Sequence, residues 1–344
     1  TDLFAIDDQS GAVLTEKADT TPDAVTGVLE ALRLSGVPTA EVKTFVFGST
    51  VATNALVERK LAPVAFLGTK GFTDTLEIRR LWRQHLFGWR WDRPKSLVPS
   101  DLRFGVPGRI DWRGNEIEPL DLAAVDDAVA VMRRRGIRMA AVSLLFSFLN
   151  PDHERRVAER IRHQAPEIGV VLSSDVNPEI KDYERASTTV IAAALTPLVE
   201  RVLSTLEQQI AAAGIPAKPQ VIKSNGGIMS AESARSKPLE LVRSGPAGGV
   251  ASALRLSREL DLPNLITIDI GGTTADVAVV TGGMATYTQQ DNLEWDIPLR
   301  VPMADVRSVG AGGGSIAALD AAGRLKVGPE SAGASPGPAC YGRG

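Results

Sequence analysis

An aspartate on either side of a Gly-Gly-Thr-Thr turn is the pattern in this chain best suited to chemistry. It lies in Leu265-Ile-Thr-Ile-Asp-Ile-Gly-Gly-Thr-Thr-Ala-Asp-Val-Ala-Val-Val280, which reads as two short apolar strands joined by a tight turn. Glycines lack a Cβ, so their backbone N–H groups can come close to an anion. Thr273 and Thr274 add hydroxyl donors, and Asp269 and Asp276 are of the type to hold a hydrated Mg²⁺ beside a phosphate. The plainer alternative is an ordinary hairpin closed by a glycine turn.

Four more Gly-rich segments fall where strands are expected to meet helices: Gly48 to Asn54, Ser224 to Gly227, Arg243 to Gly249 and Ser308 to Ser315. Each alone solves a backbone problem, yet a helix N-terminus with free N–H groups binds phosphate readily. Thr50, Thr53 and Asn54 lie about one turn apart at a helix start, so they either cap it or face a cleft together. Asn225 and Gly226 are further candidates for substrate contact.

The elements that must position these residues alternate in an α/β order. Thr21-Pro22-Asp23 reads as a helix start and Gly36 as its stop; strands are expected at Thr44–Phe47, Val64–Leu67, Ala140–Leu145, Val170–Leu172 and Gln220–Ile222. Helices are expected over Leu122–Arg135, Pro151–Gln164 and Pro246–Leu260, with a long helical stretch at Asp182–Ala213 interrupted near Pro197. The segment after Val301 reads as loop-rich. Laid over the central motif, Asp2 falls on Asp276 and Leu3–Ile6 on Val277–Val280, a weak internal repeat of an Asp-led strand feeding a hairpin. The partner of the Gly-Gly-Thr turn would then lie ahead of Thr1, and with no initiator Met the chain reads as a piece of a longer protein.

Bulk properties narrow the classes. The 344 residues suffice for two domains, and 44% hydrophobic with 23% charged residues suits a folded chain. A formal net charge of −3 offers nucleic acid nothing to bind. The longest apolar run, Met139–Leu149, is too short to cross a bilayer. A single cysteine, Cys340, forms no internal disulfide, which fits a cytoplasmic location, and His85, His153 and His163 lack ligand spacing.

With Val327-Gly-Pro-Glu-Ser-Ala-Gly-Ala-Ser-Pro-Gly-Pro-Ala-Cys-Tyr-Gly-Arg343 added, these segments resemble the hydantoinase A/5-oxoprolinase family over essentially the whole chain. That family also includes β subunits of acetone and acetophenone carboxylases. The resemblance implies an α/β, actin/sugar-kinase/Hsp70-like (ribonuclease H-like) fold whose two related halves clamp ATP, incomplete in this chain. A boundary read along the chain near residues 175–180 would then separate the family's N-terminal domain, 1–178, from its core domain, 179–344. The resemblance puts the second phosphate turn on Asp269, Gly271, Gly272, Thr273, Thr274 and Asp276, with Asp2 at the end of the first. Gly245 and Gly248 then sit beside the cleft, and Gly310, Gly312, Gly313 and Gly314 against adenosine. Catalytic roles fall to Asp269, Asp276 and Thr273, with Asp269 holding Mg²⁺ through water.

The activity so implied is ATP-dependent opening of a cyclic amide, working with a hydantoinase B-type partner and without nucleic acid or membrane. The isolated piece, lacking the first turn, is expected to be inactive. The alternatives are a ketone carboxylase subunit, a non-enzymatic nucleotide-binding module, and a plain sugar or acetate kinase. Two departures bear on substrate: Phe47-Gly48-Ser49 stands where the family commonly has His-Gly-Thr, and the insert with Trp82, His85, Phe87, Trp89 and Trp91 is rich in aromatics.

Overall fold

A computed structural model describes residues 1–18, 21, 23–83, 87, 94–272, 274–294, 296–320, 322–333 and 337–342. Two compact units emerge: Thr1–Val221 with Met229–Val242 and Gln289–Val301, and Ile222–Ile228 with Arg243–Thr288 and Pro302–Gly344.

The chain begins with β1 (Asp2–Ile6), β2 (Val13–Lys17), α1 (Ala24–Ser35), β3 (Phe45–Phe47), α2 (Val51–Val57), β4 (Val64–Thr69) and α3 (Thr75–Ile78). Next come β5 (Arg103–Val106), β6 (Arg109–Ile110), β7 (Glu116–Glu118), α4 (Ala123–Arg134), β8 (Met139–Ser143), α5 (Asp152–Gln164) and β9 (Gly169–Leu172). Then follow α6 (Ser173–Val176), α7 (Asp182–Ala212), β10 (Pro219–Ile222), β11 (Ile228–Ser230) and α8 (Ala231–Ser236). The first helix starts one step later than expected. Asp23, not Thr21, is its cap, because the carboxylate accepts the N–H groups of Val25 and Thr26. Pro22 lies outside the described residues.

The first unit is built on a parallel sheet ordered β5-β4-β8-β9. Every residue of β4 and β8 is buried, as expected when a sheet is covered on both faces. Helix α7 packs against β8, and its first half from Tyr183 to Leu195 is wholly buried. Pro197 sits inside this helix without ending it, since packing of the flanking turns outweighs the one lost backbone bond. By length and composition α7 could also cross a bilayer, which the expectation from the Met139–Leu149 run overlooked. More than half of its most apolar window is buried within the protein, and so it reads as a core helix.

A polar network lies among the parallel strand ends. Glu154, with no exposed surface, accepts the N–H of Leu144 (2.8 Å), the hydroxyl of Ser173 (2.6 Å) and the N–H of Ser174 (2.9 Å). Arg185, equally buried, donates to the carbonyls of Leu144 and Glu179, to Ser173 Oγ and to the Asp182 carboxylate.

The second unit is organised by α9 (Ser244–Glu259), β12 (Leu265–Ile270), β13 (Ala275–Thr281) and β14 (Met284–Ala285). Beyond these come β15 (Tyr287–Glu294), β16 (Ile297–Ala304), β17 (Arg307–Val309), β18 (Ser315–Leu319) and β19 (Leu325–Ser331). The sheet runs β12-β13-β14, with β17 also on β13. Ala247 and Val250 of α9 pack with Ala278, Ala304 and Val306. Ile266, Ile268 and Ile270 of β12 are exposed. The region after Val301, expected to be loop, holds β17 and the antiparallel pair β18–β19; Gly310, Gly312 to Gly314 and Gly323 sit between these strands, and Gly328 lies within β19. Both Asp-led strands of the sequence repeat enter antiparallel hairpins, β1 with β2 and β13 with β14.

Replacing Glu154 with Ala strands three donors in the first core. Unfolding in urea should show a loss of about 3 kcal/mol, with the m value unchanged.

Candidate functional site

The turn between β12 and β13 is a tight antiparallel hairpin in which Gly271 N–H donates to the Thr274 carbonyl at 2.8 Å. Its register sets Asp269 directly opposite Asp276 and Ile270 opposite Ala275. Side chains paired across a strand project from one face, with Cβ atoms about 5 Å apart. Two carboxylates therefore stand together one residue from the turn, Asp269 exposed and Asp276 half-buried. Like charges so placed repel, and a cation between them removes the cost. That charge pattern fits a hydrated Mg²⁺ held by this pair.

Register on the other side of β13 brings Ser308 of β17 opposite Asp276, and Ser308 Oγ donates to Asp276 Oδ1 at 2.5 Å. The serine fixes one carboxylate and leaves Asp269 as the freer of the two.

A Gly-rich loop holds the turn. Gly313 N–H donates to the Gly271 carbonyl at 2.9 Å, and Gly314 N–H to that of Gly272 at 2.7 Å. Ser331 Oγ donates to the same Gly272 carbonyl at 3.1 Å, and Ala332 N–H to that of Gly314. With its carbonyls occupied, the turn keeps the Gly272 N–H without a hydrogen bond among the described residues. A Cβ on Gly314 would lie 2.5 Å from the Gly333 carbonyl oxygen and 2.9 Å from that of Gly272. Gly328, with φ at +66°, packs a bare Cα against the Gly310 carbonyl. The glycines here are required by backbones in contact.

The structure thus brings Asp269, Gly271, Gly272, Thr274 and Asp276 together and joins the turn to Gly313 and Gly314 through backbone bonds; Gly310 and Gly312 lie in the same loop, where Gly312 N–H donates to Ser315 Oγ. Thr273 lies outside the described residues. Gly245 and Gly248 fall in the first turns of α9, entered through Arg243 in the left-handed region at φ +57°. Arg243 also donates to the Val306 carbonyl. Ser224–Gly227 is a strand-to-strand turn, not the strand–helix junction expected, since β10 and β11 flank it. Asn225 Oδ1 accepts Gly227 N–H, and Gly226 packs on Ala247 of α9. Beside it Asn225, Leu254, Arg258 and Tyr287 line an open groove of about 620 Å³. Ser308–Ser315 likewise joins two strands, β17 and β18.

Asp2 belongs to the first unit, exposed and ion-paired with Lys17 at 3.2 Å. Thr50 precedes α2 without a side-chain cap bond, and Asn54 Nδ2 reaches its hydroxyl at 3.3 Å. Capping by Thr50 is therefore not the role its side chain performs. His85, Trp89 and Trp91 lie outside the described residues; Trp82 and Phe87 are exposed. Sequence reasoning placed Ser308 in a Gly-rich segment and Ser331 and Gly333 in the closing signature, but gave none of the three a role. Each lies far along the chain from the turn it supports, and only the Ser-Ala-Gly triplet of residues 331–333 carried a local signal.

A family model described as hydantoinase/oxoprolinase matches residues 185–344, and the model of its N-terminal region matches residues 1–165. The caprolactamase subunit alpha of Pseudomonas jessenii is 35% identical, over 99% of this chain and 50% of its own length. The crystal structure of the ATP-dependent caprolactamase from Pseudomonas jessenii superposes with a TM-score of 0.86 at 33% identity, covering 99% of this chain and 51% of that one. The nucleotide-free structure of acetone carboxylase gives 0.81 at 29%, covering 96% and 49%. The chain spans about half the length of these relatives. The likeness shows the actin/sugar-kinase/Hsp70-like ATPase fold.

If the facing carboxylates are kept for a cation, Asp269→Asn should leave stability unchanged or raise it by up to about 0.5 kcal/mol. Thermal melts with and without Mg²⁺ check this. The unsubstituted chain should gain from the ion and the variant should not; a loss above about 1 kcal/mol would mark the pair as a structural element.

Proposed function

This chain belongs to the hydantoinase/oxoprolinase family, and from that premise we propose that it forms the nucleotide-handling part of an ATP-dependent enzyme that opens a cyclic amide. The observation that carries the reading is the carboxylate pair, Asp269 and Asp276, beside a glycine turn whose carbonyls are tied down by Gly313 and Gly314. Relatives named caprolactamase and 5-oxoprolinase support the amide as substrate class.

Bound ATP would supply the phosphoryl group that converts the unreactive amide oxygen into a good leaving group; lactam, ATP and two waters then balance ring-opened amino acid, ADP and phosphate. This chain's residues do the positioning. The Gly272 N–H and the Thr274 hydroxyl donate to phosphate oxygens, with Thr273 assigned the same task. Asp269 would hold Mg²⁺ through water, and Asp276, fixed by Ser308, would share that charge. Donors set in advance of charge development stabilise it without reorganising. Gly310 and Gly312 to Gly314, with Gly245 and Gly248 at the start of α9, give the nucleoside backbone surface without side chains at those positions. Asp2 ends a first phosphate turn, and Thr50, Thr53, Asn54, Asn225 and Gly226 contribute to substrate contact. A hydantoinase B-type subunit completes the enzyme in the cytoplasm, in keeping with relatives that are themselves named subunits.

A second reading, a ketone carboxylase subunit, is favoured by the acetone carboxylase likeness and by Phe47-Gly48-Ser49 in place of His-Gly-Thr. ADP release from the full-length protein with its partner separates them. Under the first reading, lactams or hydantoins should accelerate release about 10-fold or more without bicarbonate, and Asp269→Asn should remove about 100-fold of it. Acceleration only by a ketone with bicarbonate establishes the second. Nucleotide binding with no turnover on any carbonyl compound would leave a non-enzymatic module.

A further inference from the structure

Among the described residues, one group of three side chains has the types and the closeness to ligate a metal, and all of it belongs to the first unit. Glu116 of β7 meets Asp152 and His153, the first two residues of α5. One ligand atom from each lies within 4.8 Å of the other two. Both carboxylates are exposed, so an ion reaches them directly from solvent. His153 is 2% exposed and turns its Nε2 onto Glu116 Oε2 at 2.6 Å. The histidine and the glutamate are 37 residues apart, which is why spacing along the chain shows nothing of the set.

The elements that carry the three are fastened to one another. Asn150 Nδ2 donates to the Gly114 carbonyl in the turn before β7 at 2.9 Å, and Asn150 Oδ1 accepts the Asp152 N–H at 3.0 Å. The imidazole is held too: a Cβ on Gly108, whose φ is +131°, would lie 3.3 Å from His153 Nδ1, so the ring packs on bare backbone. Fixed orientation of this kind is what second contacts give a metal-binding histidine. The positive charge already among the carboxylates fits them loosely. Arg156 Nη1 stands 3.5 Å from Glu116 Oε2 and 3.5 Å from Asp152 Oδ2, against about 2.7–2.9 Å for a good charge-assisted bond. Its side chain is 40% exposed and has room to swing into solvent.

We propose that Glu116, Asp152 and His153 bind a transition-metal ion of the Zn²⁺ class, which clamps the β6–β7 hairpin to the start of α5. One imidazole nitrogen with two carboxylate oxygens suits Zn²⁺, whereas Mg²⁺ and Ca²⁺ favour oxygen alone. Bonds of about 2.0–2.2 Å in a tetrahedron put the ligand atoms about 3.3 Å apart. The Glu116–His153 contact opens by less than about 1 Å to reach this, and the exposed Asp152 side chain closes the rest. The ion takes the place of the proton between imidazole and carboxylate, which passes to water, and it displaces Arg156 Nη1. A water molecule fills the fourth position. The site is independent of the cyclic-amide reading and of the cation assigned to Asp269 and Asp276.

The test titrates Zn²⁺ alone into the full-length protein, stripped of metal with a chelator, and follows binding by calorimetry. The unsubstituted protein should show a binding step that Mg²⁺ does not fill. Glu116→Gln and Asp152→Asn should each weaken that step by about 10-fold or more; both side chains are exposed, and thermal melts without metal check that the fold is kept. Glu118→Gln, an exposed acid of the same strand, should leave it unchanged, which separates ligation from general negative charge. Arg156→Ala should tighten the step by about 3-fold or more, since a competing cation is removed. Absence of a Zn²⁺ step, a step unaltered in both Glu116→Gln and Asp152→Asn, or no tightening in Arg156→Ala overturns the proposal and leaves the three residues as an ion-pair network.

Discussion

The register that sets two carboxylates opposite one another on paired strands organises the candidate site of the second unit. Asp269 and Asp276 cannot drift apart, because the hairpin register fixes them and Ser308 holds one of the two. Nor can the turn beside them relax, since its carbonyls accept bonds from Gly313, Gly314 and Ser331. A site assembled this way is poised for a cation and an anion together: the acids call for positive charge, and the turn offers its amide edge to negative charge. Such prior orientation is what separates a phosphate-binding hairpin from an ordinary one.

The first unit solves a different problem. Its parallel sheet is buried on both faces, and the strand ends are closed by Glu154 and Arg185, each shared among several backbone groups. Every polar atom of that network that carries a named bond is satisfied from within. Not every polar atom beside it is so paired: the Ser174 hydroxyl is buried with no hydrogen-bond partner among the described residues.

Much of this was legible along the chain because the signals are local. The hairpin at Leu265–Val280 shows itself as two apolar runs around paired glycines, and the central strands as uninterrupted runs of Val, Ala and Leu. Where the reading failed, distance or competition was the cause. Pro197 reads as a helix breaker, yet burial of the turns before it keeps α7 whole. The glycines past Val301 read as loop because nothing nearby shows that short strands pair across them. Ser308 is one serine among many until register sets it beside Asp276.

The exposed edge of β12 has a consequence for how the site can be governed. Ile266, Ile268 and Ile270 alternate along a strand with a neighbour on one side only among the described residues. Anything that extends the sheet there grips the same strand that carries Asp269. A slip of a single residue would turn the acid to the opposite face. The strand is thus a lever: its outer rim is open to a neighbour's grasp, and its far end sets the alignment of the acid.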